Sequence, residues 1–205
     1  MNGINKYITM LDFLKEIETF KTCERTCHTT KIGRAESDAE HSWHLALFLM
    51  LFEKEFESVD FTKLLKMALI HDLPELYAGD TNPYRGETKN KEENEEIAAR
   101  ELFSRLPDFI GENLISLFAE YQKQESAESR LVKSADKLMP LVQNLCTNEH
   151  HSSYRKLKVK TEEVEHYMGQ YFTDDSFLKK LYSILLKECK EKGVFYSEDS
   201  SQIIV

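Results

Sequence analysis

The ten residues from Trp43 to Phe52 constrain this chain more than any other stretch. Trp43, Leu45, Leu47, Phe48, Leu49, Met50, Leu51 and Phe52 are apolar, and only His44 breaks the run with a polar group. A helix that is apolar on nearly every side is a buried one, so the pattern predicts a central helix. The run is about half of the ~20 residues that span a bilayer, which makes it a core element and not a membrane span. Ser37, with Glu40 three residues on, forms the capping-box signature that opens this helix. The apolar pattern carries it to about Phe56.

The remaining periodicity is also helical. Tyr7, Met10, Leu11, Leu14 and Ile17 fall on one face at 3.6-residue spacing. A second buried helix is predicted from about Thr62 to His71, and Pro74 restarts a short turn that ends at Gly79. From Asn90 to Arg105 the chain is densely charged, with Ile97, Ala98, Leu102 and Leu106 as a thin apolar stripe, the pattern of a solvated helix face. Another helix follows Gly111. A long one after Ser126 carries Leu131, Val132, Ala135, Leu138, Met139, Val142 and Leu145. Two more are predicted at about Glu162–Tyr171 and Ser176–Lys192, with Gly193 as the stop. There is no internal repeat and no alternating strand of convincing length. The polar connector Thr22–Glu36 is long for a structureless link, and such loops are often functional. The last twelve residues are expected to be a loose tail or an arm that docks on a neighbour. The fold class is therefore all-α, one helical domain over 1–205, with 205 residues enough for a sizeable core.

Charge excludes whole classes of partner. Lys and Arg total 27 against 36 Asp and Glu, a net charge of −9, with no basic cluster. Such a chain repels nucleic acid and anionic membrane surfaces, so neither is an expected partner. The N-terminal residues lack a basic start followed by an unbroken apolar stretch, so no signal peptide is expected and the cytoplasm is the expected compartment. Four cysteines are too sparse for a disulfide scaffold. Cys23, Cys27 and His28 suggest a metal corner that nothing else at zinc-finger spacing completes.

Chemistry concentrates where polar residues meet the most apolar helices. His71-Asp72 closes the apolar segment LLKMALIHD. His41 shares a helix face with Leu45, Phe48 and Phe52, and Asp136 lies beside the apolar 132/135/139 face. A buried carboxylate costs several kcal/mol unless a cation pairs with it. Two imidazoles and two carboxylates around one divalent ion satisfy all four together. The mixed N/O set suits Mn, Co, Fe, Zn, Ni or Mg without choosing among them. His44 reads as a packed neighbour of His41, and His28, His150, His151 and His166 read as solvated.

The order His41, His71-Asp72, Asp136 resembles the H…HD…D motif of the HD-domain family of metal-dependent phosphohydrolases, an all-helical fold. The strings ESDAEHSWH, ALIHDLPELYAGD and SAESRLVKSADKL are similar to those of HD-domain 5′-deoxynucleotidases from bacteria and eukaryotes. The resemblance covers about residues 8–146, is most specific from Leu65 to Asp80, and does not reach the C-terminal sixty residues. It implies metal ligation by His41, His71, Asp72 and Asp136, with Glu75 and Asp80 lining the catalytic pocket. It also implies that Arg25 orients the substrate phosphate, with Arg34 as a second candidate cation. Thr26 stands where some bacterial members have Trp. The loop Asp80-Thr81-Asn82-Pro83 would help hold the nucleotide, and Lys133 could steady Asp136 or pair with a neighbouring helix. No His lies between Asp72 and Asp136, where two-metal members of the superfamily draw extra ligands, so one ion is expected.

The implied reaction is hydrolysis of a 2′-deoxynucleoside 5′-monophosphate to deoxynucleoside and phosphate. Glu75 would orient the water or protonate the leaving oxygen. Alternatives are an HD phosphohydrolase acting on nucleoside triphosphates or guanosine polyphosphates, and a non-catalytic nucleotide-binding regulatory module. A homodimer is implied as well. The apolar face near the N-terminus, the stretch FLKKLYSILL and the terminal Ile203-Ile204-Val205 hold more apolar surface than a single-domain edge needs.

Overall fold

The computed structural model describes residues 3–29, 33–56, 58–86, 89–147, 151–173 and 176–198, and no side chain of Gly3 or Ser176. Helices dominate: α1 (Gly3–Glu16), α2 (Asp38–Leu51), α3 (Phe61–Ile70), α4 (Glu75–Ala78), α5 (Lys91–Phe103), α6 (Asp108–Lys123), α7 (Ala127–Cys146), α8 (Ser153–Lys156), α9 (Thr161–Gly169) and α10 (Ser176–Glu191). The two strands among the described residues, β1 (Glu24–His28) and β2 (Ala35–Ser37), pair with each other. The fold class is the helical one expected. No described helix is long and apolar enough to cross a membrane. The chain divides into two compact units, residues 1–24, 37–81 and 87–132 in the first, and 25–36, 82–86 and 133–205 in the second.

In the first unit, α2 and α3 start on side-chain caps. The Ser37 hydroxyl accepts from the Glu40 amide at 3.2 Å, and the Glu40 carboxylate accepts from the Ser37 amide at 3.0 Å. Asp60 caps α3 by accepting from the Lys63 amide. Leu45, Phe48 and Leu49 of α2 are buried, as are Leu64, Met67 and Ala68 of α3, and the two helices pack together. Here the structure corrects the central-helix expectation. Trp43, Met50 and Leu51 are exposed, Trp43 at 63%. Helix α2 is buried along one side, and the stripe 43/47/50/51 faces outward in the single chain. The N-terminal helix also carries exposed apolar residues. Tyr7, Leu11 and Leu14 are exposed, and the chain instead buries Phe13 and Phe20. Periodicity identified the helix but not which side the fold covers.

Helices α5 and α6 pack on each other, and Ala98, Ala99, Leu102 and Phe103 of α5 are buried, while Ile97 of the expected stripe is exposed. Helix α6 begins at Asp108, so Gly111 sits within its first turn and not before it. A Cβ at Gly111 would lie 2.5 Å from the Phe103 carbonyl oxygen. This glycine permits a close approach of two backbones.

The second unit holds most of α7 and all of α8–α10. Leu138, Met139, Leu141, Tyr154, Val159, Val164, Met168, Phe172 and Leu178 are buried in it. The polar connector, where no strand was expected, contributes the strand pair. Thr29 N–H donates to the Arg34 carbonyl at 2.8 Å, and Cys27 is buried while Glu24 and Thr26 are exposed. Strands this short and polar leave no apolar alternation to read. The start of the expected loose tail is docked. Val194 and Phe195 are buried, and the Val194 carbonyl accepts from the Ser152 hydroxyl at 2.8 Å. The three terminal residues Ile203-Ile204-Val205, like His150, lie outside the described residues.

Replacing Gly111 with Ala gains about 1 kcal/mol of helix propensity but forces a close backbone contact apart, at about 1–3 kcal/mol. Gly111→Ala should therefore lower the urea midpoint despite its better helix propensity. An unchanged or raised midpoint would reject the close approach.

Candidate metal centre

His71 follows the last turn of α3, and Asp72 begins the turn into α4. Both side chains are buried, as is that of His41, one turn into α2. The His41 and His71 rings lie 5.4 Å apart by centroid, with His71 edge-on to Tyr121. Asp72 Oδ2 is 3.0 Å from His71 Nε2 and 3.8 Å from His41 Nε2. The other nitrogen of His71 fixes its tautomer. Nδ1 lies 2.9 Å from the Ala68 carbonyl, which can only accept, so geometry assigns the proton to Nδ1. In the neutral ring Nε2 then presents a lone pair to a carboxylate oxygen at 3.0 Å. Two acceptors at that distance repel, and a cation that both can reach relieves the repulsion.

A second group overlaps the first. Asp38, Asp72 and Glu75 are buried, with one carboxylate oxygen of each within 4.8 Å of the others. Lys91 Nζ lies 3.3 Å from Glu75 Oε1 and 3.2 Å from Glu95 Oε1. Burial works against the Lys91 charge, yet the carboxylates of Glu75, Glu95 and Asp72 hold its pKa above the usual lysine value. Burial pushes the Cys23 thiol upward, and the carboxylates of Asp38 and Glu75 push it further.

Other expected residues belong to the second unit. Arg25, on β1, is largely enclosed, its Nε 3.6 Å from Glu36 Oε2. Asn82 donates through Nδ2 to Thr26 Oγ1 at 2.8 Å, and its Oδ1 accepts from the Tyr84 and Arg85 amides. Arg85 clips this loop down by donating to the Leu157 and Lys158 carbonyls and pairing with Glu163. Pro83 is exposed, and Asp80 and Thr81, in the first unit, are half-buried. Arg34 is exposed and folds its guanidinium onto the Ala35 carbonyl at 2.8 Å. Asp136 is buried on α7, one turn after the buried Val132 and on the same helix face. Its Oδ2 accepts from Lys137 Nζ at 2.7 Å, beneath the rings of Tyr167 and Tyr171. Lys137 is thus one cation that steadies Asp136. Pro140, four residues on, removes the helical N–H donor from the Asp136 carbonyl.

A family model described as HD domain matches residues 17–177. The chain belongs to the HD-domain family. This HD domain is 29% identical over 137 residues to the 5′-deoxynucleotidase HDDC2 of Homo sapiens, covering 66% of each chain. The HDDC2 of Dictyostelium discoideum is 31% identical over 141 residues, covering 65% of this chain and 74% of that one. The chain therefore spans about two thirds of the length of the human relative. Among solved structures, a predicted metal-dependent phosphohydrolase from Magnetospirillum magnetotacticum superposes with a TM-score of 0.83 at 30% identity. That match covers 94% of this chain and 99% of that one.

The His/Asp cluster of the HD domain is able to bind a metal. A histidine that ligates through Nε2 typically donates Nδ1–H to a carbonyl, as His71 does to Ala68. A divalent ion resolves the lone-pair confrontation between His71 and Asp72 without protonating either. The sequence reading missed Lys91, which sat in a charge run taken for a solvated face. One signal was available: a lysine at the first position of a helix opposes the macrodipole preference.

The carboxylates around Cys23 give a check that needs no substrate. Asp38→Asn removes a charge that disfavours the thiolate, so the Cys23 pKa should fall. Its alkylation at pH 8 should then rise by about two- to fivefold. Mass-spectrometric alkylation rates measure this, and an unchanged rate would contradict the proximity of Cys23 and Asp38.

Proposed function

We propose that the protein is a 5′-deoxynucleotidase that hydrolyses 2′-deoxynucleoside 5′-monophosphates, with one divalent ion held by His41, His71, Asp72 and Asp136. The observation that carries the reading is the 3.0 Å approach of His71 Nε2 to Asp72 Oδ2, with Glu75 beside them. Its support from relatives is the similarity to proteins named 5′-deoxynucleotidase. A bound divalent ion supplies Lewis acidity and a water of lowered pKa. Glu75 is buried next to Asp72, where its carboxylate orients the water, takes its proton as phosphorus is attacked, and gives that proton to the 5′-oxygen that leaves as its bond to phosphorus breaks. Arg25, preset by Glu36, binds the phosphate oxygens through its planar guanidinium. Arg34 is the lesser cation, and Asp80, Thr81, Asn82 and Pro83 border the nucleotide. The Asn82–Thr26 bond stiffens that loop from the position where some bacterial members carry Trp.

Phosphate release from deoxy- and ribonucleoside mono-, di- and triphosphates, with and without Mn²⁺ or Co²⁺, tests the substrate class. Release from deoxynucleoside monophosphates alone supports the reading, and preferential turnover of triphosphates overturns it. Asp72→Ala and Asp136→Ala should lose metal and activity together while remaining helical. Full metal stoichiometry after either change would remove that residue from the ligand set. Arg25→Ala should keep the metal and lose about 10²–10³-fold in kcat/KM, the scale of a removed charge-stabilising donor.

The partner we propose is a second copy of this chain. Ile4, Tyr7, Ile8, Leu11 and Leu14 form an exposed stripe on α1, and Trp43, Leu47, Met50 and Leu51 form another on α2. Contiguous exposed apolar surface of this kind marks association sites, and a two-fold dimer is the commonest closed arrangement. Light scattering should give twice the chain mass, and Leu11→Glu with Met50→Glu should return it to one. A wild-type protein with the mass of one chain at micromolar concentration rejects the dimer.

A further inference from the structure

Lys91 stands where helix electrostatics would not place it. It is the first residue of α5, where the backbone N–H groups already present partial positive charge. Its neighbours Glu92 and Glu93 suit that end and are exposed. Lys91 is turned inward instead, its side chain 30% exposed. Burying a lysine there is unfavourable unless something fixed requires the charge.

The requirement is visible in the carboxylates it meets. The ammonium lies between Glu75 Oε1 at 3.3 Å and Glu95 Oε1 at 3.2 Å. Glu95 is anchored in turn, since Gln122 Nε2 on α6 lies 3.5 Å from Glu95 Oε2 and donates to the Glu92 carbonyl at 3.2 Å. The entry to α5 is set by Asn90, whose φ of 64° lies in the left-handed region that Asn tolerates better than most residues. Glu75, by contrast, stands on α4, a helix of only four residues that is too short to be rigid by itself. The far end of α4 is tied by the Tyr77 hydroxyl to Glu16, which also pairs with Arg105 at 2.7 Å. Lys91 ties the near end, at the functional side chain itself.

We propose that Lys91 is a positioning residue: braced by Glu95, its ammonium holds one oxygen of Glu75 so that the carboxylate keeps the pose from which it orients the attacking water. This rests on the assignment of Glu75 to the reaction made above. The brace acts through Glu75 and does not touch the substrate. Its loss is therefore felt in turnover and not in substrate affinity. It also does not ligate the ion, so metal content is independent of it.

The test uses the metal-loaded protein, measuring kcat and KM for a deoxynucleoside monophosphate together with bound metal. Lys91→Met should lower kcat by about 10–100-fold, the range for partners that orient metal-site groups. KM should stay within about twofold and the metal content unchanged, because the brace touches neither substrate nor ion. Lys91→Arg should recover most of the loss, because a guanidinium can span both carboxylates. Glu95→Gln, which loosens the brace from its other side, should lower kcat by a smaller factor. The double variant Lys91→Met/Glu75→Gln should be no slower than Glu75→Gln alone. Lys91→Gln, smaller and polar, repeats the comparison if the methionine variant unfolds. A normal kcat in the active protein after both Lys91→Met and Lys91→Gln overturns the proposal alone. So does a loss confined to KM, or a double variant as slow as the product of the two single losses. A wild-type protein that releases no phosphate from any nucleotide overturns the nucleotidase reading and this brace with it.

Discussion

The approach of His71 Nε2 to Asp72 Oδ2 sets the terms for the functional site. Two lone-pair atoms at 3.0 Å inside a buried cluster repel unless a cation that both can reach relieves the repulsion. The tautomer that enforces this is set by the Ala68 carbonyl, one turn back in α3. The carbonyl belongs to the last turn of the helix, where C=O groups have no helical N–H to accept from. The end of α3 therefore does two jobs. It satisfies one of its orphan carbonyls, and by doing so it leaves the Nε2 lone pair beside the carboxylate that follows.

Within each unit, carboxylates have specific cations. Glu75 meets Lys91, Asp136 meets Lys137, Glu36 meets Arg25, and Glu128 and Glu120 share Lys63. Pairs of this kind contribute little net stability when buried, since desolvation offsets most of the attraction. Breaking one is costly, because it strands a charge. The arrangement therefore specifies geometry more than it adds stability. Lys137 shows this clearly, with its ammonium 5.9 and 5.7 Å from the Tyr167 and Tyr171 ring centres and its charge against Asp136.

Much of this was legible in advance, for identifiable reasons. The capping box at Ser37 and Glu40 is local chemistry, and it appears where it was read. The HD step at the end of an apolar helix is also local, and His71 and Asp72 are buried there with His41 beside them. The β1–β2 pair was illegible because neither strand alternates apolar and polar residues. Lys91 and Glu95 were hidden for a different reason: a charge run records composition, and only packing selects which members turn inward. The docking of Val194 and Phe195 depends on Ser152 and Arg155, some forty residues earlier in the chain.

The sequence by itself determined the helical class, the capped start of α2 and the residue types able to hold a metal. These follow from periodicity and from side chains acting within a few residues of their own backbone. Only the tertiary structure decided which face of an apolar helix is covered, and it left Trp43, Met50, Leu51 and the Tyr7–Leu14 stripe outside. It also decided which charges became partners. A period of 3.6 says that two sides of a helix differ. Burial and ion pairing depend on what arrives from elsewhere in the chain, and local sequence does not contain that.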